Sequence, residues 1–349
     1  MPARKRSGVL HFLVTGFMIL FLLGGCGSPE TPVGPQLEET APSELPSETP
    51  VVPPTPTATP LPAKVVFIPS DAAGIDLAAF SQRVSELTAQ SGWVFEERPS
   101  LQVNEISGDW RIVVMAGYDP LISEALTAHP DVQFIVMSDQ DLGLAPNLSV
   151  IRLRWDYQAF IAGYLSILIT PDWRTAGLFT PDNLGQVQSQ AFVNGAQYFC
   201  GICASKLSPI VRFPVTAMVS GKADPGTWQT EAESLLSNIV YVMYAGPGSS
   251  SPDQLADLGQ RGLVLVGGET PPDGMQTRWA ATIRIDVLTA LETIWSGAAV
   301  GEGGMAIDSS VVIQDINEDF YSTGRQRLVE ETLQELEAGL IYPLDVPLQ

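Results

Sequence analysis

Acidic side chains and a Tyr-Ala-Gly turn stand just beyond the predicted strands of this chain. Asp139 follows one apolar run, Glu269 follows another, and Asp76 opens the helix after the first run. An ionised carboxylate can only accept hydrogen bonds, so these groups suit the hydroxyl or amine groups of a small ligand. Tyr244 and Gly246 flank a turn in which glycine lets the backbone approach such a ligand closely. The pattern predicts a polar binding cleft at the strand ends.

Several of these residues also have a purely structural interpretation. Asp76 can simply cap its helix. Phe80 can stack on a flat ligand ring, or it can pack in the core beside Val84 and Leu87. Trp228 can line the cleft or act as a buried anchor. Glycine- and aspartate-rich loops can be ordinary turns, but five of them at strand ends favour a shared cleft.

Residues that support catalysis or metal binding are scarce. The chain has two histidines, His11 and His129, and it contains no GxSxG turn, no GxxxxGK[ST] phosphate loop and no metal-spaced histidine cluster. Acid–base chemistry would rest on carboxylates alone. The sequence therefore predicts a protein that is not an enzyme and that has neither a cofactor nor a metal site.

Cys26 stands in the pattern of a lipid attachment site. A basic segment at 4–6 precedes a mostly apolar run at 9–23, and two glycines separate that run from Cys26. These are the marks of a secretory signal peptide, and a cysteine directly after small residues resembles the lipobox of bacterial lipoproteins. We expect a signal peptide over residues 1–25 and a mature chain anchored by lipid on Cys26 at the extracytoplasmic face of the cell membrane. The alternatives are a cleaved signal without lipid and an uncleaved anchor, although the apolar run is shorter than the ~20 residues that span a bilayer.

Composition predicts a linker and excludes one class of partner. Residues 27–63 hold eleven prolines, five glutamates and no lysine or arginine. Such a segment cannot bury enough apolar surface to fold, so we expect residues 26–63 to be a disordered, semi-rigid spacer. The whole chain has 18 basic and 39 acidic residues, a net charge of −21. That balance offers no surface for phosphates and argues against nucleic-acid binding.

Cys200 and Cys203 remain once Cys26 carries lipid. Outside the cytoplasm, two cysteines this close favour a local disulfide. A redox-active CxxC pair is the alternative, but it requires the first cysteine at the start of a helix, whereas Cys200 is predicted to end one. A zinc site would need further ligands, which two histidines in the chain do not readily supply.

Apolar runs alternate with helical patterns from Lys64 onward. The predicted strands are continuous apolar runs, typical of strands buried on both faces of a parallel sheet, at residues 65–68, 112–115, 134–137, 176–179, 239–243 and 263–266. The predicted helices cover residues 77–90, 158–169, 188–199, 230–236 and 285–294. This alternation indicates a doubly wound α/β fold, and about 286 residues of it suggest two lobes.

An ordered set of short motifs carries a family likeness. Residues 73–82 match the pattern Gly-Gly-(Ile/Phe)-(Asp/Asn)-Asp-Lys-Ser-Phe-Asn-Gln at Gly74, Asp76, Phe80 and Gln82. Further matches follow in order at residues 129–139, 147–150, 160–166, 176–179, 192–196, 244–246 and 284–287. From Lys64 to about residue 304 the chain thus resembles the basic-membrane-protein family of ABC-transporter substrate-binding lipoproteins, whose characterised members bind purine nucleosides.

The resemblance implies a periplasmic-binding-protein type I architecture. Two doubly wound lobes would be joined by three crossover strands, with a ligand in the cleft that closes between them. Lobe 1 would comprise residues 64–170 plus about 282–306, and lobe 2 residues 171–281 plus about 307–349. The same likeness supports Asp76 as a ligand-binding residue and puts Glu269 in the slot of an acid that binds the ribose.

The implied function is capture of a small polar, nucleoside-like ligand and its delivery to an ABC permease in the membrane. Several polar positions of the family pattern are replaced here, at Leu77, Ala79 and Ser81. The segment around Glu269 also differs in sequence from the corresponding segment of the family. A ligand-sensing receptor subunit of the same fold with a changed ligand is therefore the alternative.

Overall fold

The computed structural model describes residues 61–70, 73–206, 208 and 210–345. These residues belong to one compact unit, residues 59–349. The predicted signal peptide, the lipidation site Cys26 and almost all of the predicted linker lie outside the described residues.

Strands and helices alternate along the described chain. The strands are β1 (Lys64–Ile68), β2 (Val94–Glu97), β3 (Trp110–Met115), β4 (Gln133–Ser138), β5 (Leu148–Arg152), β6 (Thr175–Phe179), β7 (Val215–Met218), β8 (Val242–Ala245), β9 (Val264–Gly267), β10 (Trp279–Asp286), β11 (Ala306–Asp308) and β12 (Ser310–Gln314). The helices are α1 (Leu77–Gln90), α2 (Ile122–Ala128), α3 (Trp155–Leu168), α4 (Asn183–Cys200), α5 (Pro225–Leu236), α6 (Pro252–Gln260), α7 (Val287–Ala298) and α8 (Thr323–Glu337).

These strands form two six-stranded sheets, one in each lobe. The first sheet has the order β2-β1-β3-β4-β5-β11, and the second has the order β7-β6-β8-β9-β10-β12. All neighbouring strands are parallel except β10 and β12, which are antiparallel. Both sheets therefore wind in the same way, and the predicted two-lobed, doubly wound α/β fold is confirmed.

The chain crosses between the lobes three times, after β5, after β10 and after β11. Helix α3 buries Phe160 and Tyr164 in a core that also holds Phe192 of α4 and Tyr244 of β8. The first crossing therefore precedes Trp155, and the predicted boundary at residue 170 moves to the start of α3.

The return to the first lobe also lies later than the sequence predicts. Strand β10 continues through Ile285 to Asp286, whose carboxylate caps α7 by accepting from the amides of Leu288 and Thr289. The helix predicted over residues 285–294 thus begins at Val287, and the boundary near residue 282 moves with it.

The apolar runs are buried on both faces of each sheet. In β1, Val65 and Phe67 pack into one core cluster while Val66 and Ile68 pack into another on the opposite face. Successive side chains of a strand point to opposite faces, so a strand between two helical layers must be apolar at every position.

Helices α3 and α4 touch backbone to backbone through a pair of glycines. A Cβ atom on Gly163 would lie 1.9 Å from the carbonyl oxygen of Phe192, and one on Gly195 would lie 1.9 Å from that of Phe160. No heavy atom fits at such a separation, so the two helices need glycine at both positions to pack this closely.

Gly163→Ala and Gly195→Ala are each expected to lower the free energy of unfolding by about 1–3 kcal/mol, since the added methyl groups force the helices apart. Chemical denaturation of the fragment 59–349 measures the effect. Gly324→Ala is the matched control, because Gly324 is also helical but has open space at its Cβ position. Equal losses at all three positions would contradict the backbone contact.

Candidate functional site

A cavity of about 300 Å³ lies where the carboxyl ends of the two sheets face each other. We term it the interlobe cavity. Its walls come from residues Ser70, Ala73, Ala116, Gly117, Tyr118, Met137, Ser138, Asp139 and Leu153 of the first lobe, and from residues Trp155, Thr180, Asp182, Leu184, Gln188 and Pro247 of the second.

The position of this cavity follows from the winding of the sheets. In an open α/β sheet, ligands bind beyond the carboxyl ends of the strands, at the point where the strand order reverses. That point lies between β1 and β3 in the first lobe and between β6 and β8 in the second. Loops after all four strands line the one cavity, so the natural binding positions of both sheets coincide.

Two carboxylates from opposite lobes line the interlobe cavity. Asp139 follows β4 and is exposed. Asp182 caps α4, its Oδ1 accepting hydrogen bonds from the Gly185 amide at 2.7 Å and from the Thr180 hydroxyl at 3.0 Å. Among the described residues, no lysine or arginine lines this cavity. The cavity therefore offers acceptors to a ligand and repels anions.

Trp155 forms an aromatic wall at the hinge. It is the first residue of α3, a helix of the second lobe, yet its ring packs in a core cluster of the first lobe. The ring also lies beneath the loop before α1, since a Cβ atom on Gly74 would be 3.1 Å from it. Tyr118, which is 42% exposed, lines the same cavity from the loop after β3.

A second, outer cavity of about 600 Å³ continues from the first. The two share Asp139, Leu153, Trp155 and Leu184. The outer cavity also contains Arg152 and Arg154 of the first crossing, together with Asp156 and Asp308.

Those arginines are already paired with carboxylates. Arg154 makes two hydrogen bonds to Asp156, at 3.0 and 2.7 Å, and one to Asp308 at 2.8 Å. Arg152 reaches the other oxygen of Asp308 at 3.3 Å. Burial alone would lower the pKa of Arg154, but the hydrogen bonds and charges of the two aspartates outweigh it and raise that pKa above its ordinary value. The network ties the first crossing to the third.

A contact between the lobes closes another side of the interlobe cavity. The Gly74 amide donates to Oε1 of Glu269 at 3.2 Å. Gly74 has φ +82°, and a Cβ atom there would lie 2.8 Å from the Pro247 side chain. We term Gly74, Pro247 and Glu269 the interlobe clasp.

The acidic residues that the sequence predicted occupy three different places. Asp139 lines the interlobe cavity. Glu269 belongs to the interlobe clasp. Asp76 caps α1 by accepting from the Ala79 amide at 2.9 Å, and it lines a separate cavity of about 350 Å³ beside Arg284.

The other predicted residues lie deeper in the lobes. Phe80 is fully buried in the first lobe, with its ring centroid 5.9 Å from that of Phe67. Tyr244 is fully buried and stacks on Phe192. Burial and the charge of Glu269 raise the Tyr244 pKa, and its hydroxyl has no hydrogen-bond partner in the described part of the chain.

Gly246 lies close to a neighbouring strand. Its amide donates to the Leu178 carbonyl at 2.9 Å, and a Cβ atom would sit 3.0 Å from that oxygen. The structure therefore does not bring the six predicted ligand residues together in one cavity.

Asp182, Trp155 and Gln188 line the interlobe cavity but are not among the ligand-binding residues predicted from the sequence. Asp182 follows β6, a predicted strand, so the same strand-end argument that selected Asp139 could have found it. Trp155 and Gln188 carry no such signal. Trp155 precedes an almost wholly apolar helix, and Gln188 lies inside a helical pattern.

Two further predictions concern residues away from the cavity. A disulfide joins Cys200 and Cys203 after α4. Trp228 is buried, and its Nε1 donates to the Ser249 carbonyl at 3.1 Å, as expected of a buried anchor.

Metal-binding clusters and membrane-spanning helices are both absent from the described residues. They contain no group of three or more His, Cys, Asp or Glu side chains that could hold a metal ion. None of the helices in this part of the chain combines the length and the apolar character that crossing a bilayer requires.

Solved structures share this fold. A solute-binding protein of an ABC transporter system from Conexibacter woesei DSM 14684 is 16% identical with a TM-score of 0.59, over 80% of this chain and 98% of that one. A solute-binding protein from Aeropyrum pernix K1 is 16% identical with a TM-score of 0.55, over 80% and 93%. A transcriptional activator of the comK gene from Bacillus halodurans is 12% identical with a TM-score of 0.59, over 80% and 100%.

Other comparisons find no relative. No protein-family model matches the chain, and no curated protein matches it. The structural likeness is one of fold, and it shows that this chain has a periplasmic-binding-protein type I-like architecture.

Gly74→Ala is expected to open the interlobe clasp, because the methyl group cannot fit against Pro247. Small-angle X-ray scattering of the fragment 59–349 should then give a larger radius of gyration than the wild type. Gly92→Ala is the matched control, since Gly92 also has a positive φ but nothing near its Cβ position. An unchanged radius for Gly74→Ala would contradict the clasp.

Proposed function

We propose that this chain is an extracytoplasmic binding protein, anchored by lipid on Cys26, that captures a small polar ligand in the interlobe cavity for uptake by an ABC transporter. The observation that carries the proposal is the cavity itself. It stands at the strand-order reversal of both sheets at once, where doubly wound folds bind their ligands. Two solute-binding proteins of ABC transporter systems are among the structures with this fold.

Binding would proceed by closure of the two lobes. Short crossings and a Trp155 ring shared by both lobes suit rotation about a hinge. The interlobe clasp joins the loop before α1 to the loops after β8 and β9, and Pro247 of the clasp lines the cavity. Opening the clasp would admit the ligand, and closing it would exclude water from the carboxylates of Asp139 and Asp182.

The ligand that we propose is nucleoside-like. Tyr118, which lines the cavity and is 42% exposed, supplies an aromatic ring beside a flat ligand, and the two carboxylates supply acceptors for hydroxyl groups. A pocket with apolar walls and a few placed polar groups is typical of small-molecule sites, and about 300 Å³ lies at the small end of their usual range of ~300–1,000 Å³.

The residues that line the interlobe cavity are better suited to binding a ligand than to catalysing a reaction. The described residues around the cavity include no histidine, cysteine or lysine, so the usual pairs of a histidine or lysine base with a nucleophile are not assembled there. We accordingly propose that the protein holds its ligand without transforming it.

A second candidate is a ligand-sensing receptor subunit with the same fold. One structure with this fold is titled a transcriptional activator, so the architecture is not confined to transport proteins. Genes for a permease and an ATPase beside the gene of this chain would favour uptake, and their absence together with a neighbouring signalling gene would favour sensing.

Purine nucleosides are expected to raise the melting temperature of the fragment 59–349. A ligand at 100 times its Kd stabilises the native state by about 2.7 kcal/mol, which corresponds to a rise of about 4 °C for a protein of this size. A thermal-shift screen of nucleosides, nucleobases, sugars and amino acids measures it.

Asp139→Ala should lose most of that shift. Asp131→Ala, an exposed acid before the opposite end of β4, should keep it. A shift from another class alone would overturn the nucleoside assignment, and no shift from any class would overturn ligand capture.

The membrane anchor is tested separately. Mass spectrometry of the membrane fraction should find a mature chain that begins at Cys26 and carries acyl chains, because two or more such chains hold a protein firmly on a bilayer. Cys26→Ser should remove the modification. An unlipidated chain that retains residues 1–25 would contradict the anchor.

A further inference from the structure

A buried amide without a partner lies in the wall of the interlobe cavity. Gln188 of α4 is 2% exposed and lines the cavity, and its Nε2 has no hydrogen-bond partner among the described residues. One helical turn away on either side stand Leu184 and Phe192, whose side chains offer nothing to an amide. An apolar side chain would fill this position more favourably if packing were its only role.

Other buried glutamines of the described chain are anchored. Nε2 of Gln158 donates to the Ile283 carbonyl at 2.6 Å, and Nε2 of Gln133 donates to the Gly301 carbonyl at 3.3 Å. Their amides hold neighbouring strands and loops in place. Gln188 differs because its unpaired group is the donor and because its side chain borders a cavity.

A buried donor that lacks a partner destabilises the fold. The last torsion of a glutamine side chain is broad, so rotation about it can turn Nε2 toward the cavity. A ligand with a hydrogen-bond acceptor at this wall would accept a hydrogen bond from the Gln188 amide. The same ligand must donate hydrogen bonds to the carboxylates of Asp139 and Asp182.

This combination selects among ligand chemistries. An ammonium group has donors but no acceptor for the amide. A phosphate or a carboxylate has acceptors but meets two carboxylates without a cation in the described cavity wall. A hydroxyl group both donates and accepts, and it therefore suits both sides of the cavity.

On the basis of the ligand-binding function proposed above, we propose that Gln188 contacts the ligand through its amide, and that the cavity selects an uncharged, hydroxyl-bearing ligand over its phosphorylated counterpart. Nε2 has no protein partner among the described residues, and a bound ligand would pair it. Gln188 is thus a specificity-determining residue that the protein keeps at some loss of stability.

Calorimetric titration of the full chain tests the inference. The probes are adenosine, guanosine, D-ribose and D-glucose, with AMP and glucose 6-phosphate as charged counterparts. Gln188→Met removes the amide at similar size, Gln188→Leu is a second apolar variant, and Gln186→Met is the matched control, because Gln186 is exposed on the same helix.

We expect at least one uncharged probe to bind and its phosphorylated counterpart to bind at least tenfold more weakly. Gln188→Met should weaken binding about tenfold, as the loss of one hydrogen bond does, while its melting temperature stays equal to or above that of the wild type. Gln186→Met should bind as the wild type does.

Each other outcome is decisive. If an uncharged probe binds Gln188→Met or Gln188→Leu as tightly as the wild type, the role of Gln188 is wrong while ligand capture stands. If a phosphorylated probe binds equally well, or if the thermal-shift screen finds only an amino acid, the ligand class is wrong. If no compound of either experiment binds the wild type, the proposed function fails and the inference fails with it.

Discussion

Three crossings of the chain hold the carboxyl edges of two sheets toward each other. Every group of the interlobe cavity stands at the end of a strand, on a loop at one of those edges or on the helix that follows it, so the cavity exists only in this arrangement. The first and third crossings run side by side. The Arg154 amide donates to the Ser309 hydroxyl at 3.0 Å, and the Arg154 guanidinium bonds to Asp308. Because the crossings are short and mutually bonded, the lobes can rotate about them but cannot slide apart.

The hinge and the clasp hold the two lobes together by different kinds of interaction. At the hinge, the partly buried pair of Arg154 with Asp156, the more exposed pair of Arg154 with Asp308 and the packed Trp155 ring together make several contacts that hold the crossings in place. At the clasp, one hydrogen bond and the fit of Gly74 against Pro247 give a weak contact that can break. The ligand capture proposed above needs both, because a strong clasp would keep the ligand out.

Local pattern predicted the framework of the fold well. Helix α1 has the predicted bounds, since Asp76 caps it and Phe80, Val84 and Leu87 repeat at helical spacing. Other limits failed for physical reasons. Strand β8 begins three residues later than predicted, because Ile239 is apolar but takes a positive φ in a turn. Helix α3 is apolar on every side, so its sequence gives no sign of the lobe against which it packs.

The site was harder to predict than the fold. Loops after strands could be read from the sequence, and that rule found Asp139. The same rule could not distinguish a side chain that faces a cavity from one that contacts the neighbouring lobe. Glu269 is of the second kind. Trp155 and Gln188 reach the cavity only because of how helices α3 and α4 meet the first lobe, and that contact depends on tertiary packing.

The identical winding of the two sheets has a consequence of its own. It pairs β1 with β6, β3 with β8 and β4 with β9, so each loop at the cavity has a counterpart in the other lobe. Asp139 and Glu269 are such counterparts, one beyond β4 and one beyond β9. The first faces the cavity, and the second fastens the lobes. Two equivalent loop positions thus have different tasks, and the chemistry of each can change while the other keeps its own.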